Sequence, residues 1–194
     1  MKNKKEKMKC FVEACKSVKF DPGDDFKIWL VDNGYFTAPA SRKYHGAYEG
    51  GLFDHSFTVY KRLETLTTNN NLVWTRPQSP FIIGMFHDLC KIDQYVPVYS
   101  DEYESDGNGL LKSVKKVKGY EYNPDTILKG HGSKSVMLLS QFVTLTEEEM
   151  LCIRYHMGPY EKDDWTEFDK AIHKYQNTYW TFSADMLASK VDGI

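Results

Sequence analysis

The chain contains no Cys-x-x-Cys pair, no uninterrupted apolar run long enough to cross a bilayer, and no strong excess of charge of either sign. Each lack excludes something. Cys10, Cys15, Cys90 and Cys152 are too scattered for a disulfide framework of the secreted kind, which predicts buried thiols in a reduced, cytoplasmic setting. A formal net charge of -2 gives no chain-wide attraction for polyanions, so a nucleic-acid partner would need a local patch. Lys2, Lys4, Lys5, Lys7 and Lys9 begin the sequence as a secretion signal would, but Glu13, Lys16 and Lys19 follow where an apolar stretch is needed, so neither a signal nor a membrane segment is expected. No internal repeat is present. At 194 residues, 41% hydrophobic and 14% aromatic, the chain is expected to form one globular domain over residues 1–194 that needs no cross-links.

Periodicity predicts helices in most of it. Phe11, Ala14, Cys15 and Val18 recur at helical spacing and Pro22-Gly23 closes that segment. Asp24 or Asp25 is expected to cap a second helix through Phe26, Trp29 and Leu30 that ends at Gly34, before an irregular stretch from Tyr35 to Gly51. Leu52, Ser56, Val59, Leu63 and Leu66 stripe a third helix of about 53–67. Ser79-Pro80 reads as a cap with proline at the first helical position, and Phe81 to Leu89 is apolar nearly all round, which suits a core helix.

From Gln94 to Lys129 the pattern changes to alternating valines and tyrosines about Asp106-Gly107-Asn108-Gly109, which predicts a β-hairpin over about 95–125. Helical spacing returns with Val136, Leu139, Phe142 and Val143 after Gly130-His131-Gly132. Thr146 to Glu149 is a capping box for a helix expected to hold His156 in its last turn before Gly158-Pro159. Phe168 to Val191 reads as two further helical pieces. The fold class predicted is therefore all-α with one small β-hairpin, the core lying at about 44–191 with N-terminal helices at 8–34 packed on it.

Of six histidines, five fall at helix ends or in loops, where a bundle can aim side chains into a shared cavity; only His173 sits inside a helix, and no function attaches to it. Singly, each has an ordinary explanation as a surface or hydrogen-bonded residue. Their order carries more. His55, His87-Asp88, His131, His156 and Asp185 form a pattern similar to that of the HD superfamily of metal-dependent phosphohydrolases. Gly50-Gly51-Leu52-Phe53-Asp54-His55-Ser56 resembles that family's approach to its first histidine, and His87-Asp88-Leu89-Cys90-Lys91 resembles its extended His-Asp-x-x-Lys form. Gly130-His131-Gly132, Arg154-Tyr155-His156-Met157-Gly158 and Ala184-Asp185 also read like their counterparts, so the resemblance covers about 44–191.

The resemblance implies an HD-domain helical bundle with His55, His87, Asp88 and Asp185 on one divalent ion and Asp88 bridging to a second on His131 and His156. Imidazole and carboxylate ligands suit manganese, iron, nickel, cobalt or zinc, with magnesium admissible, and no cysteine is expected among them. The implied activity is hydrolysis of a phosphoester of a nucleotide or short oligonucleotide by metal-activated hydroxide. Asp88, Lys91 and His45 are the expected catalytic residues, with Lys91 meeting the phosphoryl charge and His45 serving substrate binding or proton transfer. Arg42, Lys91, Lys115 and Lys116 are the substrate-binding candidates, the last two on the hairpin, where lysines also defend an exposed sheet edge. A 3′-5′ exonuclease or other phosphodiesterase, a di-iron oxygenase of the same superfamily, and a non-catalytic nucleotide-binding module are the alternatives.

Overall fold

A computed structural model describes residues 3–105, 111–128, 130–159 and 164–194. Helices α1 (Lys4–Ser17), α2 (Asp24–Asp32), α3 (Gly51–Asn70), α4 (Ser79–Phe86), α5 (His131–Leu139), α6 (Glu147–Arg154), α7 (Asp164–Lys174) and α8 (Asn177–Met186) surround one hydrophobic core. A 3₁₀ turn, Leu89–Ile92, follows α4, and a π turn, Leu187–Asp192, continues α8. Strands β1 (Tyr95–Ser105) and β2 (Leu111–Tyr122) pair antiparallel between α4 and α5, with Tyr95 opposite Tyr122 and a bulge beside Val98 and Tyr99. The fold is all-α with a small hairpin insertion. The expected Asp106 to Gly109 turn lies outside the described residues. No helix among those described is long and apolar enough to cross a membrane.

Helix α4 positions the centre of the molecule. It is apolar on every side, and all eight of its residues are buried. Its end therefore delivers His87 and Asp88 to the interior. The long α3 packs alongside so closely that a Cβ on Gly84 would lie 2.4 Å from the Tyr60 backbone. The N-terminal helices join the same core: Phe11 and Phe26 stack against Phe81, Phe86 and Phe142.

Several local expectations are corrected. Helix α1 begins at Lys4, well before Phe11, because Asn3 and Glu6 form a capping box that the lysine-rich composition obscures. Gly23, and neither Asp24 nor Asp25, occupies the N-cap of α2; the two aspartates lie in its first turn, where they complement the helix dipole. Gln78 holds the N-cap position of α4, since Ser79 turns inward to donate its hydroxyl to Glu149 at 2.8 Å. Helix α5 stops at Leu139, before Phe142 and Val143, and His156 lies in the turn after α6. The Thr146–Glu149 capping box forms as expected.

Lys7, one of the leading lysines, is 2% exposed. Its ammonium donates to the Gly50 carbonyl at 2.7 Å and to Asp54 at 2.7 Å. A buried cation is tolerated when it is fully paired. Here it ties α1 to the first turn of α3, immediately before His55.

Candidate metal centre

The expected ligands converge from five separate segments. His55 comes from α3, His87 and Asp88 from the end of α4, His131 from the first residue of α5, His156 from the turn after α6, and Asp185 from α8. His55 and His87 are wholly buried, Asp88 and His156 are 1% exposed, and Asp185 is 9% exposed. Two close approaches make the convergence possible. A Cβ on Gly51 would lie 1.9 Å from the Gly46 carbonyl, and one on Gly132 would lie 2.4 Å from the Arg154 carbonyl, so both positions require glycine. The second lets α5 press on the end of α6, setting the rings of His131 and His156 5.2 Å apart.

Main-chain contacts set the orientation of three imidazoles. Nδ1 of His55, His87 and His156 lies 2.8, 2.9 and 2.7 Å from the main-chain oxygens of Ile194, Gly84 and Ile153. These oxygens only accept, so each Nδ1 donates, and in the neutral form of each ring the lone pair is at Nε2. Those lone pairs point at one another. His55 and His87 Nε2 are 3.2 Å apart, His55 Nε2 is 3.0 Å from an Asp185 oxygen, and His156 Nε2 has no hydrogen-bond partner. Such a pit has more acceptors than donors and calls for a cation.

Asp88 divides the cluster. One carboxylate oxygen lies 3.5 Å from both His55 and His87 Nε2 and accepts from Lys91 at 2.6 Å. The other lies 2.6 Å from His131 Nε2 and 3.4 Å from His156 Nε2. Burial opposes ionisation of Asp88, but the Lys91 ammonium and the imidazoles of His87 and His131 outweigh it and hold the carboxyl well below its usual range. Burial likewise disfavours a charged Lys91, and Asp88 more than restores it. Three triads could each hold an ion among the described residues: His55, His87 and Asp185; His87, Asp88 and His156; Asp88, Cys90 and His131.

Cys90 in the last triad departs from the expectation that no cysteine approaches the site. Its sulfur faces His131 Nδ1 at 3.7 Å, on the ring edge away from Asp88, and burial followed by the Asp88 charge pushes the thiol to about 12. A neutral thiol there supports the ring and is a poor ligand. His131 is thus the imidazole without a carbonyl anchor, and its side chain is 26% exposed.

The outer side of the cluster opens into a cleft of about 670 Å³ lined by His45, Lys91, His131 and His156. The His45 ring stands 5.0 Å from that of His55; burial, then His55 and Lys91, lower its pKa to about 4, leaving it neutral. Arg42 is at the rim, its guanidinium 5.5 Å from the ring of Tyr122, which lines the cleft. Lys115 and Lys116 are not brought to the site. Lys115 is opposite Asp101, and Lys116 forms ion pairs with Glu102 and Glu104 at 2.9 and 2.7 Å, because strand register places them there. Arg154 and Lys190 line the cleft and were not anticipated as binding residues; the only signal was their closeness in sequence to His156 and Asp185. His173 is exposed on α7 and bonds within its own helix. Comparison with known proteins returns no match, whether to a family model, a curated protein or a solved structure.

Proposed function

We propose that this chain is a metal-dependent phosphohydrolase of the HD type, acting on a phosphoester of a nucleotide or short oligonucleotide. One observation carries the proposal: imidazoles oriented by main-chain oxygens meet two carboxylates in a buried pit that opens on a cleft with a lysine at its floor. His55, His87 and Asp185 would hold one ion, His131 and His156 a second, with Asp88 offering an oxygen to each group. The bound ions would supply Lewis acidity and lower the pKa of a water toward about 7.

The remaining work falls to the protein. The main-chain oxygens of Gly84, Ile153 and Ile194 orient three imidazoles with Nε2 aimed into the pit, so little reorganisation is needed when charge arrives. Lys91 holds Asp88 at 2.6 Å and presents positive charge from the cleft floor to a phosphoryl oxygen. His45, neutral and beside His55, is placed to move a proton at its ring nitrogen as the ester bond breaks.

The experiment is to measure metal in the purified protein, then screen nucleotides, dinucleotides and oligonucleotides for phosphate release with added manganese, nickel or cobalt. Metal near two equivalents and metal-dependent cleavage that Asp88→Asn abolishes are expected. Cleavage that survives that substitution would overturn the proposal. Bound iron with oxygen consumption and no cleavage would replace it with the oxygenase alternative.

A further inference from the structure

Resting on the proposed metal centre for the phosphate at the cluster and on the hydrolase reading for its fate, a second binding subsite follows from the charges of the cleft wall. Lys91 belongs to the cluster, its ammonium held 2.6 Å from Asp88. What remains is Arg154, from the end of α6, and Lys190, from the π turn, with Asp164 as the carboxylate lining the same cleft. The Arg154 guanidinium is steadied 5.0 Å from the Tyr155 ring, and among the described residues its ion pair is to Asp164 at 4.0 Å, the outer limit of such contacts. A guanidinium offers five N–H donors, more than one carboxylate takes up. Lys190 has no ion-pair partner among the described residues. The protein as a whole carries a formal charge of -2, whereas on this side of the cleft the described residues place two cations, Arg154 and Lys190, with one carboxylate, Asp164. The same cleft is lined by Tyr95 and Tyr122, whose rings stand 5.4 Å apart at 40°, with the Arg42 guanidinium 5.5 Å from the Tyr122 ring.

We propose that Arg154 and Lys190 form an anion subsite separate from the His/Asp cluster, so that the cleft selects a ligand with two phosphates: one at the cluster and a second at Arg154 and Lys190. The Tyr122–Arg42 stack takes the planar group between or beside them. A ligand with a single phosphate fills the cluster and leaves the subsite hydrated.

Equilibrium binding of adenosine 3′,5′-bisphosphate and of adenosine 5′-monophosphate to the purified protein tests this, since the two differ by one phosphate. The wild type is expected to bind the bisphosphate about tenfold or more tightly, the yield of one to two charge-assisted hydrogen bonds. In an Arg154→Ala/Lys190→Ala double variant that preference should fall to about one, and Arg154→Lys should restore part of it. Both side chains are exposed at their ends, so the thermal midpoint should hold and report an intact fold. A wild type without preference, or a double variant that keeps it, overturns the subsite. Retained preference with no hydrolysis of either compound leaves the subsite standing and removes the hydrolase proposal, so the two failures are distinguishable.

Discussion

The His/Asp pit and the β-hairpin are both rich in charged and aromatic residues, yet they dispose of them in opposite ways. In the hairpin, lysines and carboxylates occupy facing strands and neutralise each other in water, as Lys116 does with Glu102 and Glu104. In the pit, acceptors from five segments are brought together against their own repulsion, out of water, with Lys91 as the lysine at the cluster. Buried groups gathered in this way mark a candidate functional site; charge that simply pairs at the surface contributes little to stability either way.

The contrast can be tested in order of expected effect. Asp88→Ala should be the most damaging, because Asp88 faces both groups of imidazoles and partners Lys91: metal content should fall to near zero and cleavage by on the order of 10³-fold or more, with Asp88→Asn retained as the better-folded control. Metal analysis and initial rates would report it; near-wild-type loading would show that the pit tolerates loss of its centre. Lys7→Met comes next. It leaves Asp54 and the Gly50 carbonyl without their buried cation and should cost about 3 kcal/mol in denaturant unfolding, even though Lys7 touches no expected ligand. A cost as small as that of a surface ion pair would mean that Lys7 does not tie α1 to α3.

His131→Ala should act on one part of the pit. Since its ring is partly exposed and backed by a thiol, the variant should retain the ion held by His55, His87 and Asp185 while losing the other, so that stoichiometry drops from two to one. Metal titration decides this, and loss of both ions together would show that the two groups of ligands act as one. Lys116→Ala should do nothing measurable to the thermal midpoint, metal content or rate, because its partners are exposed carboxylates on the opposite strand. A clear loss of activity would return the hairpin to the substrate site.

Part of this was legible residue by residue. The period of Leu52, Ser56, Val59 and Leu63, the capping box at Thr146 and the unbroken apolar run before His87 each express a local rule, and each helix formed where its rule operates. The order of histidines and aspartates singled out six residues that do meet. One error arose where a tertiary partner outweighed a local preference, Ser79 leaving the cap position for Glu149, and others where a local cap at Asn3 or Gly23 was overlooked. Arg154 and Lys190 were missed because closeness in sequence to His156 and Asp185 does not by itself say which side chains share a cleft.

By itself, then, the sequence determined the helical elements, the hairpin and the kinds of ligand available, since periodicity, capping and side-chain chemistry act over a few residues. Tertiary structure alone decided which nitrogen of His55, His87 and His156 faces the pit, that Asp88 faces two groups of ligands, and that Arg154 and Lys190 line one cleft. Those properties depend on contacts between residues far apart in the chain, such as His55 with the Ile194 main-chain oxygen and His131 with Asp88, and they exist only once the core has closed around α4.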